Sequence, residues 1–259
     1  MKIARVQTDR GIWYAQLEPD GTASLIPLEL AELHEVLLRR ELPAFEERIA
    51  PGGYQLLAPS TPSKIVCVGL NYRRHAEEMG KTIPTEPLIF LKPSTAAIGP
   101  NDQIVLPEQS KQVEHEGELA IVIGRRAKQV GKEGVPEVVF GFTALNDVTA
   151  RDIQQREQKY THGKGFDTFA PFGPWIETNF EPKQASVSLT VDGQVRQQSC
   201  CDDLIFDVPT IVSFISGIMT LLPGDVIATG TPSGVGALLR GQVVEVTITG
   251  IGTLSNPVG

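Results

Sequence analysis

The segment His115-Glu116-Gly117-Glu118-Leu119-Ala120-Ile121-Val122-Ile123 sets two carboxylates at the head of an apolar run. Such a run reads as a strand, and alternate strand residues share a face. Leu119, Ile121 and Ile123 then form a core face, while Glu116 and Glu118 project together on the other, roughly 7 Å apart at ~3.3 Å per residue. Two carboxylates that close repel unless a cation or a shared proton lies between them. Two readings stay open for the pair alone: a solvated strand face, or half of a cation site. A second strand is expected from Phe140 to Asp147, with Asp147 at its end. Three carboxylates, completed by neutral and water oxygens, suit a hard ion such as Mg²⁺ or Mn²⁺. Zinc fits less well, because His34, His75, His115 and His162 show no ligand spacing. His115 alternates away from Glu116 and reads as structural.

Other residues have the types that chemistry needs. His75 and Glu78 lie three apart in an expected helix and can face each other, as a surface ion pair or as a proton-transfer pair. Lys164 stands among small residues in Gly163-Lys164-Gly165-Phe166-Asp167-Thr168. Gly230-Thr231-Pro232-Ser233-Gly234-Val235-Gly236 leaves an expected strand as a glycine-rich loop. It lacks the lysine of a P-loop and sits in no βαβ unit, so a plain tight turn is the competing reading.

These residues need elements to hold them. Strand-like runs cover Ile65 to Val68, Leu88 to Leu91, Leu119 to Ile123, Val226 to Ala228 and Val243 to Ile248. Val187 to Val191 and Val195 flank Asp192-Gly193, a hairpin signal. Helices are expected after Tyr72, at Thr149 with Asp152 as a capping-box-like start, and near Pro209. Strands outnumber helices and do not alternate with them, which disfavours a doubly wound sheet and favours a mixed, mainly β, α+β architecture. Residues 1 to about 60 read as a small N-terminal α+β domain: two short strands, a turn at Asp20-Gly21, and Leu30, Leu33 and Leu37 at helical spacing. Leu57 to Ser63 reads as the linker to a domain over 61–259.

Composition narrows the class. The chain has 259 residues, 41% hydrophobic and 21% charged, enough to bury a core without disulfides. The formal net charge of -8, with no basic patch, argues against nucleic acid as partner. Cys67, Cys200 and Cys201 write no disulfide framework or metal spacing. The start, Met1-Lys2-Ile3-Ala4-Arg5, lacks the apolar stretch of a signal peptide, and the longest apolar run, Pro209 to Leu222, is too short to span a bilayer. A cytoplasmic protein without membrane partners is the expectation.

Taken in order, Gly69-Leu70-Asn71-Tyr72 with His75 and Glu78, Phe90-Leu91-Lys92-Pro93, His115-Glu116-Gly117-Glu118-Leu119, Asn146-Asp147-Val148-Thr149-Ala150-Arg151-Asp152, Lys164-Gly165-Phe166-Asp167 and Gly230-Thr231-Pro232 resemble the fumarylacetoacetate hydrolase family, over about residues 63–258. The resemblance implies a mixed β-roll catalytic domain, a homodimer, and Mg²⁺ or Mn²⁺ on Glu116, Glu118 and Asp147. It makes Lys164 the cation that stabilises an oxyanion or enolate, and His75 with Glu78 the proton-transfer pair. Gln154, Thr231 and Tyr72 become substrate contacts, and Arg151 with Asp152 supports of the metal loop. Leu70-Asn71-Tyr72 carries no acid where fumarylacetoacetate hydrolase itself has a fourth carboxylate, and the N-terminal unit is shorter. The resemblance therefore points to the smaller bacterial members acting on 2-oxo and 2-hydroxy-enoic acids through a metal-stabilised enolate. A 2-hydroxyhepta-2,4-diene-1,7-dioate isomerase of aromatic catabolism is the first expectation. An acylpyruvate hydrolase or oxaloacetate decarboxylase is the second, and a catalytically silent binding protein the third.

Overall fold

The computed structural model describes residues 1–78, 80 and 82–259, and only the backbone of His75 and Glu78. The first sixty residues contribute β1 (Lys2–Thr8), β2 (Gly11–Leu17), β3 (Ala23–Ile26), α1 (Leu30–Leu38), β4 (Arg48–Ile49) and β5 (Gln55–Leu56). These strands continue a larger sheet, because β1 pairs antiparallel with a strand far along the chain, Lys2 opposite Glu177 and Ile3 opposite Ile176. The apolar positions of α1 explain its docking: Leu30 and Leu33 are buried with Val122, Phe140 and Ile176. His34 Nε2 donates to the Glu137 carbonyl at 2.9 Å. Leu57 to Ser63 forms no regular element but is pinned down. The Ser60 hydroxyl donates to Gly224 O at 2.8 Å, and Asp225 accepts from both the amide and the hydroxyl of Ser63.

The remaining chain adds β6 (Ile65–Gly69), α2 (Arg73–Glu78), β7 (Leu88–Lys92), β8 (Ala97–Ile98), β9 (Val113–His115), β10 (Gly117–Ile123), β11 (Val139–Asn146), β12 (Thr149–Ala150), α3 (Arg151–Glu157), α4 (Tyr160–Lys164), β13 (Ala170–Glu177), β14 (Ser186–Val191), β15 (Gln194–Cys200), α5 (Val208–Ile218), β16 (Val226–Ala228), β17 (Gly236–Ala237), β18 (Val243–Ile248) and β19 (Gly252–Pro257). One mixed sheet runs β4-β3-β2-β1-β13-β11-β10-β16-β6-β7. Its β16–β6 pair is parallel and β10–β11 antiparallel. A four-stranded sheet, β15-β14-β18-β19, packs on it, and β12-β9-β17 forms a small third one. The fold is thus mainly β with few helices, as the strand-rich pattern predicts.

The main core lies between the two larger sheets and α5. Leu119, Ile121 and Ile123 of β10 enter it with Leu189, Val246 and Ile215. The opposite face of β10 is buried too, Ala120 against Ile65 and Phe172 and Val122 against Phe140. Burial on both faces removes the solvated-face reading of the Glu116–Glu118 pair. The Asp192-Gly193 hairpin forms with both residues at positive φ, as its tight turn requires. Asp207 caps α5 by accepting from the Thr210 amide, with Pro209 in the first turn.

One helix start differs from expectation. Thr149 belongs to β12 and α3 begins two residues later, with no side-chain cap at Ala150. The Thr149 hydroxyl donates instead to Asp147 O at 2.9 Å. Asp152 accepts from Ser110 Oγ and the Lys111 amide, which fastens α3 to the preceding loop. A local backbone carbonyl has taken the Thr149 hydroxyl, and tertiary partners the Asp152 carboxylate.

Candidate metal centre

Strand register explains how three acids meet. β10 and β11 pair with Gly117 opposite Asn146. Glu116 and Glu118 flank Gly117, and Asp147 follows Asn146. Two further bonds fix the crossing: the Asp147 amide donates to Glu116 O at 2.8 Å, and the Glu116 amide donates to Asn146 Oδ1 at 2.9 Å. Each of Glu116, Glu118 and Asp147 offers an oxygen within 4.8 Å of the others, and all three residues are buried.

Cations surround two of these carboxylates. Lys164 Nζ donates to Glu116 Oε2 at 3.0 Å and to Asp147 Oδ2 at 2.5 Å. Lys92 Nζ donates to Asp147 Oδ1 and, at 2.9 Å, to Val148 O. Arg151 Nη2 donates to Glu116 Oε1, while its Nε donates to Glu114 at 2.7 Å. Burial works against the Asp147 charge, but Lys164 and Lys92 outweigh it and hold its pKa below the usual aspartate value. Burial likewise opposes the Lys164 ammonium, and Asp147 and Glu116 overcome it, raising its pKa. Glu118 has no cation partner among the described residues. Its Oε2 accepts from the Gly230 amide at 2.7 Å. Burial, then the Asp147 and Glu116 charges, push its carboxyl well above the usual range. A buried acid with no cation, beside two other acids and with only hard oxygen donors, fits a divalent cation.

The acids open onto a cavity of about 1080 Å³. Lys164, Gln154 and Thr231 are among the residues that line it. Gln154 Oε1 accepts from Arg151 Nη1 at 2.5 Å, leaving its amide nitrogen for other partners. Two of the three Lys164 N–H groups serve Glu116 and Asp147, which leaves the third, and the ammonium sits 4.9 Å from the Phe90 ring centroid. Phe90 stacks on Tyr160 with centroids 4.5 Å apart, walling one side. Tyr72 is not among the residues brought to the cavity. It is fully buried in the main core with its hydroxyl 4.0 Å from Cys201 Sγ, and the cavity lining does not include it. The side chains of His75 and Glu78 lie outside the described residues. Leu70 and Gly80, on either side of α2, both line the cavity.

Two contributors carried little sequence signal. Lys92 stands in a quoted motif, where a charge ending the apolar run Leu88-Ile89-Phe90-Leu91 was the available clue. Gln197 of β15 is 1% exposed and reaches across from the other sheet. Its contacts with His115, Gly117, Thr231 and Pro232 had no local signature. No helix of the described residues is long and apolar enough to cross a membrane.

Residues 64–259 match the family described as fumarylacetoacetate (FAA) hydrolase, C-terminal. A crystal structure named 2-hydroxyhepta-2,4-diene-1,7-dioate isomerase, from Mycobacterium marinum, is 42% identical with a TM-score of 0.90, covering 100% of this chain and 98% of that one. The oxaloacetate tautomerase YisK of Bacillus subtilis is 41% identical over 214 residues, 78% of this chain and 71% of that protein. A fumarylpyruvate hydrolase from Pseudomonas aeruginosa, solved with Mn²⁺ and pyruvate, is 37% identical with a TM-score of 0.73, covering 79% and 91% of the two chains. The chain belongs to the fumarylacetoacetate hydrolase family.

Proposed function

We propose that this family member is a divalent-metal enzyme acting on 2-oxo or 2-hydroxy-enoic dicarboxylates through an enolate, with 2-hydroxyhepta-2,4-diene-1,7-dioate isomerisation as its reaction. The observation that carries the proposal is the convergence of Glu116, Glu118 and Asp147 around Lys164 at the base of an open cavity. When bound there, Mg²⁺ or Mn²⁺ supplies Lewis-acid stabilisation of negative charge on the substrate. In formal charge, Lys92, Lys164 and Arg151 stand against four carboxylates, those of Glu114, Glu116, Glu118 and Asp147, one short of the two positive charges a divalent cation adds. A loaded site is therefore net cationic and favours a ligand that gains negative charge. A 2-oxo acid does so when a proton conjugated with its 2-oxo group leaves.

Lys164 keeps its proton, so it serves as donor to the 2-oxygen rather than as base. Gln154 offers its amide N–H groups to the substrate carboxylate. His75 and Glu78 take the carbon proton and return it at another carbon; the cavity-lining residues on both sides of α2 support that assignment. Isomerisation is preferred because the likeness to the Mycobacterium marinum isomerase spans the whole chain. Acylpyruvate hydrolysis is the second reading, favoured by the likeness to a hydrolase that holds pyruvate.

The test is an assay of Mg²⁺- and Mn²⁺-loaded protein against a panel of 2-oxo and 2-hydroxy-dienoic acids. Tautomerisation, carbon dioxide release and acid release are followed separately. Metal-dependent tautomerisation of the seven-carbon dioate is expected, and acid release as the dominant product would replace the isomerase with the hydrolase. We also propose a two-fold homodimer, on the family resemblance. Light scattering that shows only monomer at micromolar concentration rejects it.

A further inference from the structure

We propose that Gln197 and Thr231 close a hydrogen-bonded ring around Gly117 that sets the spacing of Glu116 and Glu118, so that Thr231 acts as a positioning residue for the metal centre. The inference rests on the metal reading above. The ring has three links. The Gly117 amide donates to Gln197 Oε1 at 2.9 Å, Gln197 Nε2 donates to Thr231 Oγ1 at 2.8 Å, and Thr231 Oγ1 donates to Gly117 O at 3.0 Å. It thus holds both backbone polar groups of the one residue lying between two of the three acids.

The remaining capacity of the Gln197 amide is filled as well. His115 Nδ1 lies 3.3 Å from its oxygen, and its nitrogen also donates to Pro232 O at 2.7 Å. A primary amide offers two acceptor sites and two donors, and all four are engaged. Gln197 is the buried member of an otherwise mostly exposed strand. An apolar residue is the ordinary occupant of such a place, since a polar one costs stability unless fully bonded. The residue is held in place through β14, where it pairs with Leu189. Leu189 in turn packs so closely that a Cβ added at Gly117 would lie 3.1 Å from it. The second sheet is therefore built up against the metal-bearing strand at this point, with the amide as its polar contact.

The ring changes what Thr231 can do. Its single hydroxyl proton goes to Gly117 O, so it is not offered to a substrate carboxylate, and its free lone pair would repel one. Thr231 instead follows Gly230, whose amide donates to Glu118 Oε2. The same loop thus touches Glu118 through Gly230 and the Glu116–Glu118 link through Thr231. A substrate-contact role and a positioning role predict different measurements. Loss of a substrate contact raises KM and leaves metal affinity in substrate-free protein unchanged. Loss of a positioning contact weakens metal affinity with no substrate present.

The experiment is Mn²⁺ calorimetry on substrate-free, full-length protein, with thermal melts on each sample. Thr231→Ser keeps the hydroxyl and should bind Mn²⁺ as the unaltered chain does. Thr231→Val and Gln197→Met each break the ring and should weaken binding about 10-fold or more, the usual scale for outer partners of metal ligands. The double variant should lose little more than the worse single one, because either change opens the same ring. Thr231→Val is near-isosteric on a partly exposed loop and keeps the test open should Gln197→Met fold poorly. Unchanged Mn²⁺ affinity in Thr231→Val would overturn the proposal, as would fully additive losses in the double variant. An unaltered chain that takes up no Mn²⁺ would sink the metal reading, and the ring's role with it.

Discussion

At Glu118 two demands conflict. Burial and two neighbouring acids favour its protonated form, while the Lys164 charge and the Gly230 amide favour the ionised one. Around it, Lys164 and Lys92 both sit on Asp147, yet they differ in what they face. Lys164 lines the cavity; Lys92 is fully buried and touches Val148 O. Lys164→Met should accordingly lower kcat by about 10²–10³-fold, the scale for losing one preorganised donor to an oxyanion, with little change in KM. Mn²⁺ affinity should not weaken, because a cation has left the ion's surroundings. Steady-state kinetics with parallel calorimetry checks this, and an unaltered kcat would remove Lys164 from the reaction. Lys92→Met leaves Asp147 Oδ1 buried without its cation, a loss of about 3 kcal/mol on the scale of broken buried pairs. The metal-free melting temperature should fall, and saturating Mn²⁺ should recover more of it than in the unaltered chain. Equal Mn²⁺-induced shifts in the two proteins would contradict that account. Of these residues, Glu116 and Glu118 were legible because strand alternation fixes a shared side. Lys92 and Gln197 were not, since each acts on a partner set by sheet register rather than by neighbours in sequence.

Elements that carry their own instructions formed where expected. Asp192-Gly193 makes its hairpin and Asp207 with Pro209 opens α5, because turn and cap chemistry is local. Thr149 and Asp152 show the limit: the same residue types that cap a helix found other partners, Asp147 O two residues back and Ser110 across the fold, and α3 starts later. The α1 helix gives a pH prediction. His34 is buried, with Nε2 on Glu137 O and its ring against Gly124, where an added Cβ would lie 2.4 Å away. Burial depresses its pKa below the ordinary histidine value, with Arg125 adding to the effect against the opposing pull of Glu137 and Glu35. The unfolded chain then binds the proton more readily than the folded one. The contribution is fully present above about pH 6.5, the unperturbed histidine value, and is lost as pH falls through the lower folded value. Thermal melts between pH 7.5 and about 5 should show a smaller acid-side decline in His34→Gln than in the unaltered chain. Parallel declines would mean that α1 docking does not depend on this proton.

For the whole molecule, the decisive arrangement is one sheet that runs from β4 to β7 without a break at residue 60. The strand-rich pattern was enough to predict a mainly β fold. The pairing of β1 with β13 was not legible, because strand partners so distant in sequence leave no shared motif. That sheet buries β10 on both faces and delivers its acids to the end of an open cavity, so the centre stands on a rigid support. All of the proposed chemistry depends on those acids holding a cation together. The most direct test is calorimetric titration of Mg²⁺ and Mn²⁺ into the full-length protein and its Glu118→Ala variant, both shown folded by thermal melt. The account predicts tight binding by the unaltered chain and its near abolition in the variant. Unchanged affinity in Glu118→Ala would contradict it.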